Sequence, residues 1–210
     1  MNRALIFLNG SFSDPRRVKE YASHALLICA DGGALHARNL GLTPHVLVGD
    51  LDSIAGDHLA ELEKGDMEIV RYPAEKDMTD GELAIEYALE KGCKELVIAG
   101  ILGDRVDHFS ANLMYLAKIA EQCDIRIMEK DQDIFFVRNG IEIRGKKGDE
   151  VSLVPMLGDC HGVTTGGLTY QLTGSTLPWG STRGISNVMD RAAASVRTQK
   201  GVLMVVHRIL

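Results

Sequence analysis

Asp50 and Asp52 stand one residue apart in the run Gly49-Asp50-Leu51-Asp52-Ser53, directly after the apolar Val46-Leu47-Val48. An apolar run of this kind reads as a buried strand, and in extended chain side chains two apart point the same way. Both carboxylates are therefore expected to project together just past a strand's C-terminal end. Carboxylates held side by side repel unless a cation or a proton lies between them. Hard oxygen ligands suit Mg²⁺, which commonly bridges carboxylates to substrate phosphates. The chemistry suggested first is a magnesium-dependent phosphate transfer.

Comparable clusters follow other apolar runs: Asn9-Gly10-Ser11, Asp31-Gly32-Gly33, Lys76-Asp77-Met78-Thr79-Asp80, and the stretch from Gly100 through Gly103, Asp104, Arg105 and Asp107 to His108. In open parallel sheets ligands bind at the C-terminal ends of the strands, so these clusters point to one functional edge. Each also has a plainer reading. Asp31-Gly32-Gly33 fits an ordinary turn, since glycine tolerates positive φ, or a place where backbone approaches a phosphate or an adenine closely. Asp80 at a helix start complements the helix dipole with no ligand at all; Asp77, outside that helix, is less well explained that way. Lys76 is either a solvated charge or a neutraliser of phosphate. Arg105, Asp107, His108 and Asn112 gather near one helix N-terminus, which favours anions, with His108 and Asn112 sharing a face. The planar guanidinium of Arg105 can bind phosphate bidentately.

In the C-terminal half, Trp179, Ser181, Ser186 and Asn187 fall within a glycine-rich loop, Trp179-Gly180-Ser181-Thr182-Arg183-Gly184-Ile185-Ser186-Asn187. As a loop it needs no function, and a single tryptophan is commonly a packing anchor. An aromatic face beside two serines and an asparagine could equally hold a flat heterocycle.

The elements that must position these residues are legible from periodicity. Up to about residue 130, apolar runs at Ala4–Leu8, Ala25–Ala30, Val46–Val48, Glu68–Tyr72, Leu96–Ala99 and Ile125–Met128 alternate with helical patterns. The clearest helix spans Thr79 to Lys91, opened by the capping box Thr79-Asp80-Gly81-Glu82, with Leu83, Ala84, Tyr87 and Ala88 on one face. A second runs from about Asp107 to Gln122, with Leu113, Leu116, Ala117 and Ala120 on one face. Alternation of this kind predicts an α/β fold, a mostly parallel sheet with flanking helices. After residue 130, short segments broken by glycines take over: Ile141–Arg144, Glu150–Pro155, Leu168–Leu172 and Val202–Arg208, with a turn at Lys146-Lys147-Gly148-Asp149. They predict a smaller C-terminal antiparallel β-sandwich or barrel. The expected domains are 1–131 and 132–210.

The bulk composition is that of a globular chain: 210 residues, 45% apolar and 25% charged. A net charge of −6 argues against a nucleic-acid binder, which would carry a basic face. The four cysteines contain no C-x-x-C pair, so zinc and dithiol redox chemistry lack their signal. No apolar run approaches the roughly 18 residues of a membrane span, and Ala4–Leu8 is too short for a signal-peptide core. The expected setting is the cytoplasm, with buried reduced thiols.

Taken in order, Ala30-Asp31-Gly32-Gly33-Ala34, Gly49-Asp50-Leu51-Asp52-Ser53, Lys76-Asp77-Met78-Thr79-Asp80-Gly81-Glu82, Arg105-Val106-Asp107-His108 through Ala111-Asn112, and Gly184-Ile185-Ser186-Asn187 resemble the motifs of the bacterial thiamin pyrophosphokinases. The resemblance spans most of the chain. It implies a catalytic α/β domain for ATP and Mg²⁺, followed by a β-sandwich for thiamin and dimerisation. It also implies a homodimer with thiamin near the subunit interface. The implied reaction moves a diphosphoryl group from ATP to the thiamin hydroxyl and releases AMP. Asp50, Asp52, Asp77 and Asp80 then fall on the metal and phosphate site, with Arg105 also catalytic. Asp31, Gly32, Gly33, Lys76, Thr79, Gly103, Asp107, His108 and Asn112 fall on the nucleotide side, and Trp179, Ser181, Ser186 and Asn187 on the thiamin side. Two departures stand out: Asp104 where the family usually has glycine, and Leu35 where it often has asparagine. Rival readings are a diphosphokinase for another hydroxymethyl heterocycle such as a pterin, and a thiamin- or nucleotide-binding sensor without catalysis. A magnesium-dependent phosphohydrolase is a further rival, for which no aspartate-nucleophile motif stands out.

Overall fold

The computed structural model describes residues 1–12, 15–52, 54, 56, 65–73 and 75–210, without the side chains of Pro15 and Arg16. Ser53, the last residue of the first acidic motif, lies outside them. The chain divides into two compact units, Met1–Asn112 with Ile127–Lys130, and Leu113–Arg126 with Asp131–Leu210.

In the first unit, β1 (Arg3–Phe7), β2 (Leu26–Ala30), β3 (Val46–Gly49), β4 (Glu68–Arg71) and β5 (Glu95–Ala99) pair in parallel, in the order β5-β1-β2-β3-β4. Residues 4–7 of β1 are fully buried, which explains their unbroken apolar run. Helices α1 (Pro15–Ala22), α2 (Ala34–Asn39), α3 (Asp80–Glu90) and the start of α4 (Val106–Ile119) accompany these strands. A core of Leu5, Phe7, Cys29, Leu47, Leu51 and Val97 joins them. Helix α3 starts as the capping box requires: Thr79 has extended backbone and its Oγ1 accepts the Glu82 N–H at 3.1 Å. Its predicted face is the buried one. Such a cap contributes about 1 kcal/mol. The short strand β6 (Asp124–Met128) ends in this unit.

Strand order reverses beside β1. The chain steps outward through β2, β3 and β4, then returns to place β5 on β1's other side. Connections leaving in opposite directions open a crevice at the strands' C-terminal ends. Its floor is set by a close approach. The Gly10 N–H donates to the Gly100 carbonyl at 2.8 Å, and Ser11 pairs with Leu102. A Cβ on Gly10 would lie 2.1 Å from the Leu102 oxygen. The Gly10 carbonyl accepts from His36 Nε2 at 2.7 Å, so that ring nitrogen carries the proton.

The second unit contains β7 (Gln132–Val137), β8 (Gly140–Arg144), β9 (Glu150–Pro155), β10 (Cys160–Gly166), β11 (Ser175–Leu177), β12 (Asn187–Val188), β13 (Ala193–Arg197) and β14 (Leu203–Arg208). They pair antiparallel in two groups, β12-β9-β14-β7 and β11-β10-β13-β8. Val151, Leu153 and Val205 of one group meet Ile143, Val163 and Val196 of the other in a common core, which makes a sandwich. The predicted turn at Lys146–Asp149 is present, with Gly148 at φ +104° and the Asp149 N–H bonded to the Lys146 carbonyl.

One predicted strand is wrong. Leu168–Leu172 alternates like a strand but forms only a single bridge, Leu168 to Met189. Gly167, at φ +72°, turns the chain before it. Tyr170 then exchanges its backbone N–H and carbonyl with the Asn187 amide, and the Leu172 N–H goes to Thr165 Oγ1. Side chains supply much of the pairing that a neighbouring strand would have given.

Among the described residues, no helix is long and apolar enough to cross a membrane. All four cysteines are buried and carry thiols rather than disulfides.

The Gly10 contact separates two glycine substitutions. Gly10→Ala is expected to lower unfolding stability by roughly 1–3 kcal/mol, read from urea midpoints. Gly103→Ala, whose Cβ would meet nothing nearer than 3.8 Å, is expected to leave the midpoint almost unchanged.

Candidate active site

A cleft of about 460 Å³ opens at the strand-order reversal. Leu8, Asn9 and Gly10 follow β1, Ala30 ends β2 and Asp31 follows it, and Thr79 to Gly81 begin α3. Gly100 to Arg105 follow β5, and His108 and Asn112 come from α4. Four of the five strand-end clusters thus line one cleft.

The fifth, the acidic pair after β3, converges with Asp31. Carboxylate oxygens of Asp31, Asp50 and Asp52 lie within 4.8 Å of one another. The reason differs from simple strand alternation. β3 ends at Gly49, and Leu51 has left-handed backbone at φ +67°. The Asp52 N–H then donates to Asp50 Oδ1 at 3.3 Å, a local turn that brings the carboxylates together. Leu51 itself is buried in the core, tethering the turn.

Lys76 answers this negative charge. Its Nζ lies 2.8 Å from Asp80 Oδ1 and 3.5 Å from Asp50 Oδ2. The Asp52 N–H and this ammonium hold the Asp50 carboxyl below its ordinary range, against its desolvation. Asp31 behaves oppositely. Burial, then the charges of Asp80, Asp50 and Asp52, push its carboxyl up to about 6. It also sits at φ +46°, a left-handed conformation unusual for a residue with a Cβ. Asp77 is exposed on the loop before α3, outside the converging group.

The glycines after Asp31 serve packing. A Cβ on Gly32 would meet Asn9 Oδ1 at 2.2 Å, and one on Gly33 the Phe7 carbonyl at 2.2 Å. Neither lines the cleft. On the far wall, Arg105 and Asp107 form a bidentate pair, Nη2 to Oδ2 at 2.5 Å and Nε to Oδ1 at 3.2 Å, both side chains exposed. The Arg105 guanidinium holds Asp107 down to about 2. Asp104, the departure from the family pattern, lines the cleft beside them.

Trp179, Ser181, Ser186 and Asn187, expected on the thiamin side, belong to the second unit. Trp179 is 67% exposed, so it is not a packing anchor. Its backbone N–H bonds Asp159. Ser181 Oγ accepts the Arg183 N–H within a local turn, and Ser186, at φ +57°, donates its N–H to Ser152 Oγ. The Asn187 amide is engaged with the Tyr170 backbone and its neighbour's N–H, so it positions Tyr170, which is 71% exposed. Tyr170 carries no sequence signal, because it lies within an apolar alternation that reads as a strand.

The raised Asp31 fixes a sign. Ionising it costs stability, so its contribution is most favourable below about pH 4 and is lost as pH rises through about 6. Asp31→Asn removes the charge and keeps a residue type that tolerates left-handed backbone. In metal-free buffer the variant is expected to gain roughly 1–3 kcal/mol at pH 8 and nothing at pH 4, read from urea unfolding. An equal change at both pH values would contradict the charge repulsion.

The relationship to known proteins agrees with this geometry. Residues 18–128 match the family description "Thiamin pyrophosphokinase, catalytic domain", and residues 138–203 match "Thiamin pyrophosphokinase, vitamin B1 binding domain". The chain is 33% identical over 186 residues to the thiamine pyrophosphokinase of Bacillus subtilis (strain 168), covering 87% of each. A crystal structure of thiamine pyrophosphokinase from Bacillus subtilis superposes with a TM-score of 0.88 at 29% identity, over 99% of both chains. That of thiamin pyrophosphokinase from Geobacillus thermodenitrificans gives 0.84 at 24% identity, over 98% of this chain and 97% of the other, a likeness of fold. This chain belongs to the thiamin pyrophosphokinase family, whose activity is the transfer of a diphosphoryl group from ATP to thiamin.

Proposed function

We propose that this chain carries out that transfer through the cleft at the strand-order reversal, with the thiamin hydroxyl attacking the β-phosphorus of ATP in line and AMP leaving. The observation that carries the reading is the convergence of Asp31, Asp50 and Asp52 beside a cleft lined by the other strand-end clusters. Phosphoryl transfer of this type needs little covalent chemistry from the protein; positioning and charge stabilisation dominate.

A donor set of hard oxygens with an incomplete charge balance fits Mg²⁺. Asp50 and Asp52, joined by Asp31, would hold the ion, with Asp80 and Asp77 completing the acidic surround. When bound, it neutralises charge on the phosphate oxygens. Lys76 keeps Asp50 and Asp80 oriented and offsets their charge. Arg105 is held by Asp107 beside the cleft, poised to exchange one of those hydrogen bonds for a phosphate oxygen. His108 and Asn112 offer further polar groups along α4.

Residues 1–131 then serve ATP and Mg²⁺, and residues 132–210 serve thiamin and dimerisation. Trp179 and Ser181, with Ser186 and Asn187, supply the thiamin side. Dimerisation is placed in the second unit, where Leu157, Tyr170, Trp179 and Ile185 are exposed. Four buried thiols suit the reducing cytoplasm.

Incubation with thiamin, ATP and Mg²⁺, followed by chromatography, is expected to yield thiamin diphosphate and AMP in equal amounts. Thiamin monophosphate with ADP would mean ordinary kinase chemistry and would overturn the reading. Asp52→Asn is expected to lower kcat by roughly 10²-fold or more while its urea midpoint holds; near-normal turnover would sink the metal assignment. Mg²⁺ is expected to raise the melting temperature at pH 8 and to do so less at pH 5, where protons compete for Asp31.

A further inference from the structure

We propose that Glu129 is a positioning residue for the transfer reaction, holding the loop Gly100–Arg105 that forms one wall of the cleft. The proposal rests on the functional reading above and adds a residue to it.

Glu129 follows β6 directly and is 5% exposed. Its Oε1 accepts the Ile101 N–H at 3.2 Å, and the next N–H, of Leu102, faces the same carboxylate. The Leu102 carbonyl is taken from the other side, by the Ser11 N–H and by Ser11 Oγ at 2.9 Å. The loop is therefore gripped on both sides just before Gly103, Asp104 and Arg105 enter the cleft.

The chemistry of the group matters. Two successive N–H donors need two acceptors. A carboxylate supplies two oxygens and no donor, whereas a glutamine amide supplies one oxygen and turns its NH₂ against the second N–H. An unmet buried donor is costly. The carboxylate is held there against desolvation, which pushes Glu129 up to about 7 although both N–H groups oppose the shift. The charged groups around it do not neutralise it directly. Arg17 from α1 bonds Glu129's own main-chain carbonyl at 3.1 Å. Lys130 and Asp131 flank it in sequence, and Asp104 and Arg105 are exposed at the loop's far end. Below about pH 7 a proton occupies one oxygen, and a hydroxyl then faces one of the two loop N–H groups. The grip on the wall carrying Arg105 slackens, and ATP, not thiamin, should register the change.

Two measurements test this. In ¹⁵N-labelled full-length protein, the Ile101 and Leu102 amide resonances are expected to titrate together near pH 7, and to stop doing so in Glu129→Gln. In steady-state kinetics at pH 8, Glu129→Gln is expected to raise KM for ATP roughly 10-fold, with KM for thiamin close to wild type and the melting temperature lower by only about 2–6 °C. The variant-to-wild-type ratio of kcat/KM for ATP should rise toward one as pH falls below 7; ATP's own ionisation enters both proteins alike. Amides that do not titrate, an unchanged KM for ATP, or equal changes in both KM values with a lowered melting temperature would each overturn the proposal. Should Glu129→Gln fail to fold, the wild-type amide titration decides, paired with whether KM for ATP alone climbs below pH 7. Titrating amides in a protein that makes no thiamin diphosphate would instead condemn the functional reading and leave the grip on the loop intact.

Discussion

Everything in the first unit follows from how closely the chain after β1 can approach the chain after β5. At Gly10 the two backbones come together with no room for a single methyl group. That contact extends the β1–β5 pairing beyond the sheet and gives the crevice a rigid floor. Parallel sheets place ligands at such reversals because the loops diverge there; here the loops diverge only after being fastened to one another. The resulting wall is backbone, so its polar groups are fixed before any substrate arrives.

Upon that floor the charges are arranged at a cost. Asp31, buried in a left-handed conformation among other carboxylates, is strained both electrostatically and conformationally. Groups perturbed in this way gather where chemistry is done. Lys76 relieves part of the repulsion, and Arg105 is kept in place by its bidentate pair with Asp107. The second unit follows a different logic: its loop from Trp179 to Asn187 relies on short side-chain-to-backbone bonds, with Asn187 committing its amide to Tyr170.

Much of this was legible in the sequence. The buried strands announce themselves as unbroken apolar runs, and α3 by Thr79 and Glu82 three residues apart. The closeness of Asp50 and Asp52 was legible, but not its means, because alternation along a strand and a turn through a left-handed Leu51 both bring the two carboxylates together. Asp31 was read as a nucleotide contact, and its place among the carboxylates depends on the parallel register of β2 and β3, which no local pattern encodes. Leu168–Leu172 misled because Leu, Tyr and Leu alternate whether a strand or an asparagine side chain completes their backbone bonds. Glu129 gave no signal: an acid after an apolar strand looks like any surface charge until its burial against Ile101 is seen.

Leu51 carries one more implication. Its side chain anchors the acidic turn to the same apolar cluster that holds β1, β2 and β3. The spacing of Asp50 and Asp52 is thereby coupled to the packing of the core, and it cannot widen freely to suit whichever cation arrives. Ca²⁺ prefers more ligands at longer distances, while Mg²⁺ demands a compact octahedron. On the proposed reading of these carboxylates as Mg²⁺ ligands, a tethered turn of this kind would make ionic radius a matter of hydrophobic packing, set by a leucine that touches no cation.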